Sequence, residues 1–269
     1  MWRFLGREGL SRPSGKLATA MLGKFIDRSV FWALPGWVKA YRPQIPLHSF
    51  FYRGMEVWYV PGAPEGPTVV FCHGNSGNLR FPKARGDRFR ALHEAGAHLW
   101  AFDYRGFGLS SGKPSEQSVF EDAQAVHGLA RHYHPEGRPF VLFGRSLGGA
   151  VATYLATEIQ EPDLLILEST FTSAVDVCTG YTHRVLAGLM TYKFDSASRM
   201  PRLRAPLRMI HGTTDQVVPY KLGQRLFELY RGQDKEFITV QGAGHNDVPD
   251  KAGPVYQATL RRWLTFGPG

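Results

Sequence analysis

The 269-residue sequence holds only two cysteines, Cys72 and Cys178, too few for a disulfide framework and too scattered for a zinc site. Both thiols are expected to be free, in a reducing, cytoplasmic compartment. Long apolar runs are missing too. The most apolar early stretch, Leu17 to Val38, is broken by Lys24, Asp27, Arg28, Pro35 and Gly36, which is too polar to span a bilayer. No clean apolar h-region precedes a small-residue cleavage site, so a secretory signal is not expected. There is no internal repeat and no low-complexity tract. The 30 glycines and 18 prolines follow no fixed period and read as turn punctuation, which excludes a collagen-like chain.

Charge of one sign is scarce over most of the chain. The net charge is +9, but residues 1–50 carry eight basic residues (Arg3, Arg7, Arg12, Lys16, Lys24, Arg28, Lys39, Arg42) against Glu8 and Asp27. The remaining 219 residues carry only +3. A nucleic-acid partner needs a basic patch across the folded surface with aromatics interleaved, and none is expected here. Residues 1–46 form a basic N-terminal segment. Leu17, Met21, Leu22, Phe25 and Ile26 fall on one helical face, so the segment reads as a helix packed on the core. A peripheral contact with an anionic membrane surface is the second reading of the same face.

After residue 46 the pattern turns to strands. Leu47–Tyr52 and Met55–Val60, joined by Arg53-Gly54, predict a hairpin. Short apolar runs at Thr68–Cys72, His98–Phe102, Phe140–Phe143, Leu164–Leu167, Leu207–Ile210 and Phe237–Val240 suit strands buried on both faces. Helical periodicity covers residues 116–132, 147–160, 219–231 and 252–264. Strands alternating with helices predict an α/β fold with a mostly parallel twisted sheet and helices on both faces. The connection from Glu168 to Leu207 is too long for a plain crossover. Its apolar and aromatic residues predict a small helical cap, about residues 172–204, over the sheet edge where ligands of such folds bind.

Gly144-Arg145-Ser146-Leu147-Gly148 follows a predicted strand and opens a predicted helix. This is G-x-S-x-G in its strand–turn–helix setting. A serine at the tip of so sharp a turn leaves no room for side chains two residues away on either side, and Gly144 and Gly148 have none. A hydroxyl is a poor nucleophile near neutral pH and needs a base, itself oriented by an acid. Downstream of Ser146 the histidines are His183, His211 and His245, and the Gly-rich loop Gly242–Asp247 exposes His245 at the sheet edge. Asp215 follows the strand at Leu207–Ile210 and suits the acid, with Glu168 at the previous strand end as its rival. The Leu147 N–H and an N–H of the loop His73–Asn78, Asn75 first and Ser76 next, are the candidate oxyanion donors. Ser76, Arg145, Tyr181 and Met190 are the candidates to line the substrate pocket.

HGNSGN (73–78), FDYRGFGLSSGKPSE (102–116), GRSLGG (144–149), ESTFTS (168–173), FDSASRMPRLRAPLRMIHGTTDQVVP (194–219) and GAGHND (242–247) stand in this order. Together they resemble the α/β-hydrolase superfamily, in particular the Bem46-like hydrolases and the similar protein-depalmitoylating α/β hydrolases, over about residues 47–265. The resemblance implies an α/β-hydrolase domain over residues 47–269. It implies a serine hydrolase with Ser146, Asp215 and His245 as its triad, no metal and no organic cofactor. Arg145 departs from the His or Gln common before the nucleophile and is expected at the pocket entrance. The expected substrate is a small-molecule ester of short to medium acyl chain, or a thioester, which uses the same machinery. A non-catalytic ligand-binding protein of the same fold is the competing reading.

Overall fold

The computed structural model describes residues 31–33, 43–80, 83–179, 187 and 189–266. Eight strands form one sheet: β1 (His48–Tyr52), β2 (Met55–Val60), β3 (Thr68–Cys72), β4 (His98–Phe102), β5 (Phe140–Arg145), β6 (Leu164–Glu168), β7 (Leu207–Gly212) and β8 (Lys235–Val240). Their order across the sheet is β1-β2-β4-β3-β5-β6-β7-β8. The hairpin β1–β2 is antiparallel, β2 runs antiparallel to β4, and every other neighbour is parallel. The chain goes from β3 outward to β4, then returns to place β5 on the other side of β3. That reversal opens a crevice at the carboxyl ends of β3 and β5, where ligands of open α/β sheets bind.

Strand residues alternate between two cores. Val70, Cys72, Phe140, Leu142, Leu165 and Leu167 pack on α2 (Glu116–His132) and α3 (Leu147–Tyr154). Val69, Phe71, Val141, Phe143 and Ile166 pack on the opposite face against α1 (Lys83–Glu94) and two later helices, α6 (Val248–Ala252) and α7 (Pro254–Leu264). Burial on both faces is why these strands read as unbroken apolar runs. α2 starts where Ser115 and Ser118 exchange side-chain and backbone hydrogen bonds, a capping box that fixes the helix start.

The structure departs from expectation in several places. α1 was not anticipated from its sequence, because its buried positions include Arg85 and Arg88 beside Phe89 and Leu92. The helix expected over 147–160 leaves the α form after Tyr154 and finishes as a π turn, Leu155–Ile159. The one expected over 252–264 is present as α7, and the short helix α6, not expected, precedes it across Gly253 with φ 54°. β7 reaches Gly212, so His211 belongs to the strand; the helix after it, α5, spans Tyr220–Leu229.

Within the connection from β6 to β7, α4 (Ala174–Thr179) and a short 3₁₀ turn (Met200–Arg202) are present. The Glu116 carboxylate ties that connection to α2 by accepting the Lys193 N–H at 2.7 Å and the Phe194 N–H at 2.6 Å. Tyr181 and His183 lie outside the described residues, as does most of the N-terminal segment with its expected helix. What is described of that segment includes a parallel pairing of Trp32–Ala33 with Ser76–Gly77. Phe31 packs beside Phe107, Tyr192 and Phe194.

Candidate active site

Ser146 sits between β5 and α3 with φ 55° and ψ −121°, backbone angles that cost a non-glycine residue about 1–3 kcal/mol. The surroundings hold it there. Its N–H donates to the Glu168 carbonyl at 2.9 Å, while its own carbonyl accepts from the Gly149 N–H at 2.9 Å and the Thr170 hydroxyl at 2.8 Å. A Cβ on Gly148 would run into the backbone of Cys72 and His73, so only glycine lets α3 start this close to β3.

The hydroxyl of Ser146 lies 3.1 Å from His245 Nε2, and His245 Nδ1 lies 2.7 Å from Asp215 Oδ2. The three side chains come from the ends of β5, β7 and β8, and all three residues are buried. Asp215 is fixed independently of the histidine: its Oδ1 accepts the N–H groups of Val217 at 2.9 Å and Val218 at 2.7 Å. Burial pushes the Asp215 carboxyl up, but hydrogen bonds from His211 and His245 and the Val218 N–H outweigh burial and hold it well below the usual carboxylate range. Burial, then the nearby Arg145 charge, lower the His245 imidazole to about 4, against the upward pull of Asp215. The imidazole is therefore neutral near pH 7, the form that accepts a proton from a hydroxyl.

The Leu147 N–H, at the first position of α3, faces no earlier turn of helix. Across the crevice the loop after β3 is braced by His73, whose ring lies 2.7 Å from the Gly74 carbonyl and 3.2 Å from Asp103. Tyr104 donates its hydroxyl to the His73 carbonyl at 3.0 Å. Asn75 is half-buried on this loop.

A family model described as serine aminopeptidase, S33, matches residues 64–177. An uncharacterized protein of Mycobacterium tuberculosis is 36% identical over 212 residues, covering 77% of this chain and 74% of the relative. The lysophosphatidylserine lipase ABHD12 of Rattus norvegicus is 32% identical over 193 residues, 65% of this chain and 48% of that protein. Among solved structures, a Pyrococcus furiosus esterase superposes with a TM-score of 0.73 at 17% identity, covering 87% of this chain and 99% of that one. The chain belongs to the α/β-hydrolase superfamily. It is a serine hydrolase of that superfamily, with the mostly parallel sheet and two helical layers of the fold.

The α/β-hydrolase site brings together some of the residues singled out from sequence and separates others. Ser146, Asp215 and His245 meet. Glu168, the rival acid, does not join them: it accepts from Arg88 Nε at 2.7 Å and from the Tyr256 hydroxyl at 2.7 Å. His211 is not beside Ser146 but behind the acid, 3.3 Å from Asp215 Oδ2, with its Nε2 donating to the Val218 carbonyl at 3.0 Å. Ser76 is exposed and pairs through its backbone with Trp32. Met190 is buried in the core with Phe194 and Met200, so its side chain offers a ligand almost no surface. Arg145 was expected at a pocket entrance. It is instead buried, reaching to the His245 carbonyl and to Asn246 Oδ1. Sequence reasoning also missed His211 and Arg88 as supports of the acid and its neighbour. The i, i+4 spacing of His211 and Asp215 was the signal available for the first; for Arg88, on a helix that was not foreseen, there was none.

Proposed function

We propose that this α/β hydrolase cleaves carboxylic esters, with Ser146 as nucleophile, His245 as general base and Asp215 as its orienting acid. The contact of the Ser146 hydroxyl with a neutral imidazole that is itself hydrogen-bonded to an ionised carboxylate carries this reading. His245 Nε2 takes the hydroxyl proton as Oγ adds to the ester carbonyl. The resulting oxyanion is held by the Leu147 N–H and an N–H at Asn75, each donor worth about 10²–10³ in rate. Collapse expels the alcohol with the proton from His245. Water then gives a proton to the same nitrogen as it attacks the acyl-enzyme, and the acid leaves as Ser146 is restored.

An esterase and a lipase among the similar proteins support the ester class. Short to medium acyl chains fit a connection in which the longest described helix, α4, has 6 residues. A thioester passes through the same tetrahedral intermediate and is the second substrate class. The test is fluorophosphonate labelling with a p-nitrophenyl ester series from acetate to palmitate, plus an acyl thioester, on wild type and Ser146→Ala. The expected result is labelling and turnover in wild type, both lost in the variant, with an optimum at short or medium chains. A wild type that neither labels nor turns over any of these substrates would replace the esterase by a ligand-binding protein.

A further inference from the structure

Three loops of the site converge on one guanidinium. Arg145 ends β5, directly before Ser146, and is 7% exposed. Its Nη2 donates to the His245 carbonyl and to Asn246 Oδ1, the latter at 2.7 Å. On its other side stands the loop after β3, where a Cβ on Gly74 would come within 2.9 Å of Arg145 Nη1 and 3.2 Å of Ser146 Cβ. Glycine at 74 leaves room for both. We propose that Arg145 is a positioning residue for the hydrolysis: it ties the turn bearing the nucleophile to the loop bearing the base, and so sets the approach of His245 to Ser146. This rests on the esterase reading above.

Stability alone does not call for a guanidinium here. Both acceptors of Arg145 are neutral, a main-chain carbonyl and a side-chain amide, and its Nε has no hydrogen-bond partner among the described residues. A buried guanidinium that hydrogen-bonds only neutral acceptors, with Glu168 and Asp215 attracting it only through space, is less stabilising than an apolar side chain filling the same space. What Arg145 gains for that cost lies on a single loop. That loop is otherwise held on either side of the histidine, by the Thr214 N–H donating to the Ala243 carbonyl at 2.9 Å and the Gly244 N–H donating to Asp247 Oδ1 at 2.6 Å. The His245 carbonyl itself is left to Arg145.

The charge acts as well as the fork. The groups that face His245 are Arg145 from β5, His211 from β7 and Asp215 from the loop after it; Arg145 in turn faces Arg85 and Arg88 of α1, Glu168 of β6 and Asp215. Burial and the Arg145 charge both disfavour protonation of the imidazole, while Asp215 favours it. Without the guanidinium the imidazole protonates at higher pH, and the acid limb of the rate profile moves upward with it.

The experiment measures kcat, KM, the acid limb and the thermal midpoint for Arg145→Gln, Arg145→Lys and Asn246→Ala, using the p-nitrophenyl ester that wild type turns over best. Arg145→Gln is expected to lower kcat by about 10²-fold, the effect of a misplaced catalytic group, with KM nearly unchanged and the acid limb displaced to higher pH. Arg145→Lys keeps the charge but replaces a planar fork with a single ammonium, so it loses kcat while keeping the wild-type acid limb. Asn246→Ala, at an exposed residue, removes one acceptor and gives a smaller loss of kcat; with Arg145→Lys it decides the matter should Arg145→Gln not fold. Wild-type kcat and acid limb in the folded variants would overturn the proposal. So would a rise in KM at unchanged kcat, which would put Arg145 in substrate binding. Failure of the esterase reading looks different, because wild type itself then neither labels with fluorophosphonate nor hydrolyses esters, and the proposal falls with it.

Discussion

Glu168 at the end of β6 and Asp215 just past the end of β7 are buried carboxylates at one edge of the sheet, on neighbouring strands. Their surroundings differ. Glu168 faces a guanidinium and a phenol, those of Arg88 and Tyr256. Asp215 is hydrogen-bonded by two imidazoles and two backbone N–H groups, and among the described residues no guanidinium or ammonium forms an ion pair with it, Arg145 acting on it only through space. Both are held ionised below the ordinary carboxylate range: Glu168 because Arg88, then the Arg145 charge and the Tyr256 hydroxyl, overcome burial, Asp215 because its hydrogen bonds do. The charge state is therefore the same, and the partner separates them. A carboxylate spent on a permanent cation braces two elements. One that leans on an imidazole can stabilise the charge appearing there during a reaction.

Exchange of each acid for its amide tests that contrast. Asp215→Asn leaves the N–H groups of Val217 and Val218 an acceptor, so the fold should persist while kcat falls by about 10⁴-fold in steady-state ester hydrolysis. Retention of most activity would move the orienting acid away from Asp215.

Glu168→Gln should behave in the opposite way. It strands Arg88 as a buried cation and should cost about 3–5 kcal/mol in urea denaturation, with kcat of the folded enzyme close to wild type. Its pH signature has a definite sign. The folded Glu168 titrates below its ordinary 4.5, so its contribution is present above that value and is lost as pH falls through the folded value. Wild type should therefore lose stability in acid more steeply than Glu168→Gln, and parallel curves would contradict the pairing described here.

The smallest effect sharpens the same line. Tyr256→Phe removes one charge-assisted hydrogen bond to Glu168 and should cost about 1.5–3 kcal/mol in the same denaturation experiment, with kcat unchanged. A drop in kcat would mean that Glu168 and its partners reach further into the chemistry than a structural brace does.

The roles of these two acids were only partly legible in the sequence. The strands stood out because burial on both faces writes an unbroken apolar run, and Ser146 stood out because its turn imposes glycine on both sides. Chain order brought His245 and Asp215 to notice, and the structure sets them in contact. Glu168 kept its standing as a rival because its partner lies on α1, whose buried face is written partly in arginine. A pattern that reads apolar residues as inward passes over Arg85 and Arg88. Arg145 was misread for a related reason. The residue type and position were plain, but its acceptors lie 100 and 101 residues further along the chain, and no local spacing announces a contact of that kind.

That separation in sequence also has a meaning in time. His245 follows Ser146 by 99 residues. Chains lengthen from the N-terminus at about 5–20 residues per second, so roughly 5–20 s pass between synthesis of the serine and synthesis of its histidine. In the reaction proposed above, the nascent chain carries its nucleophile through that interval without the base that activates it, and the last strand of the sheet and the histidine that completes the site emerge in the same late stretch of translation.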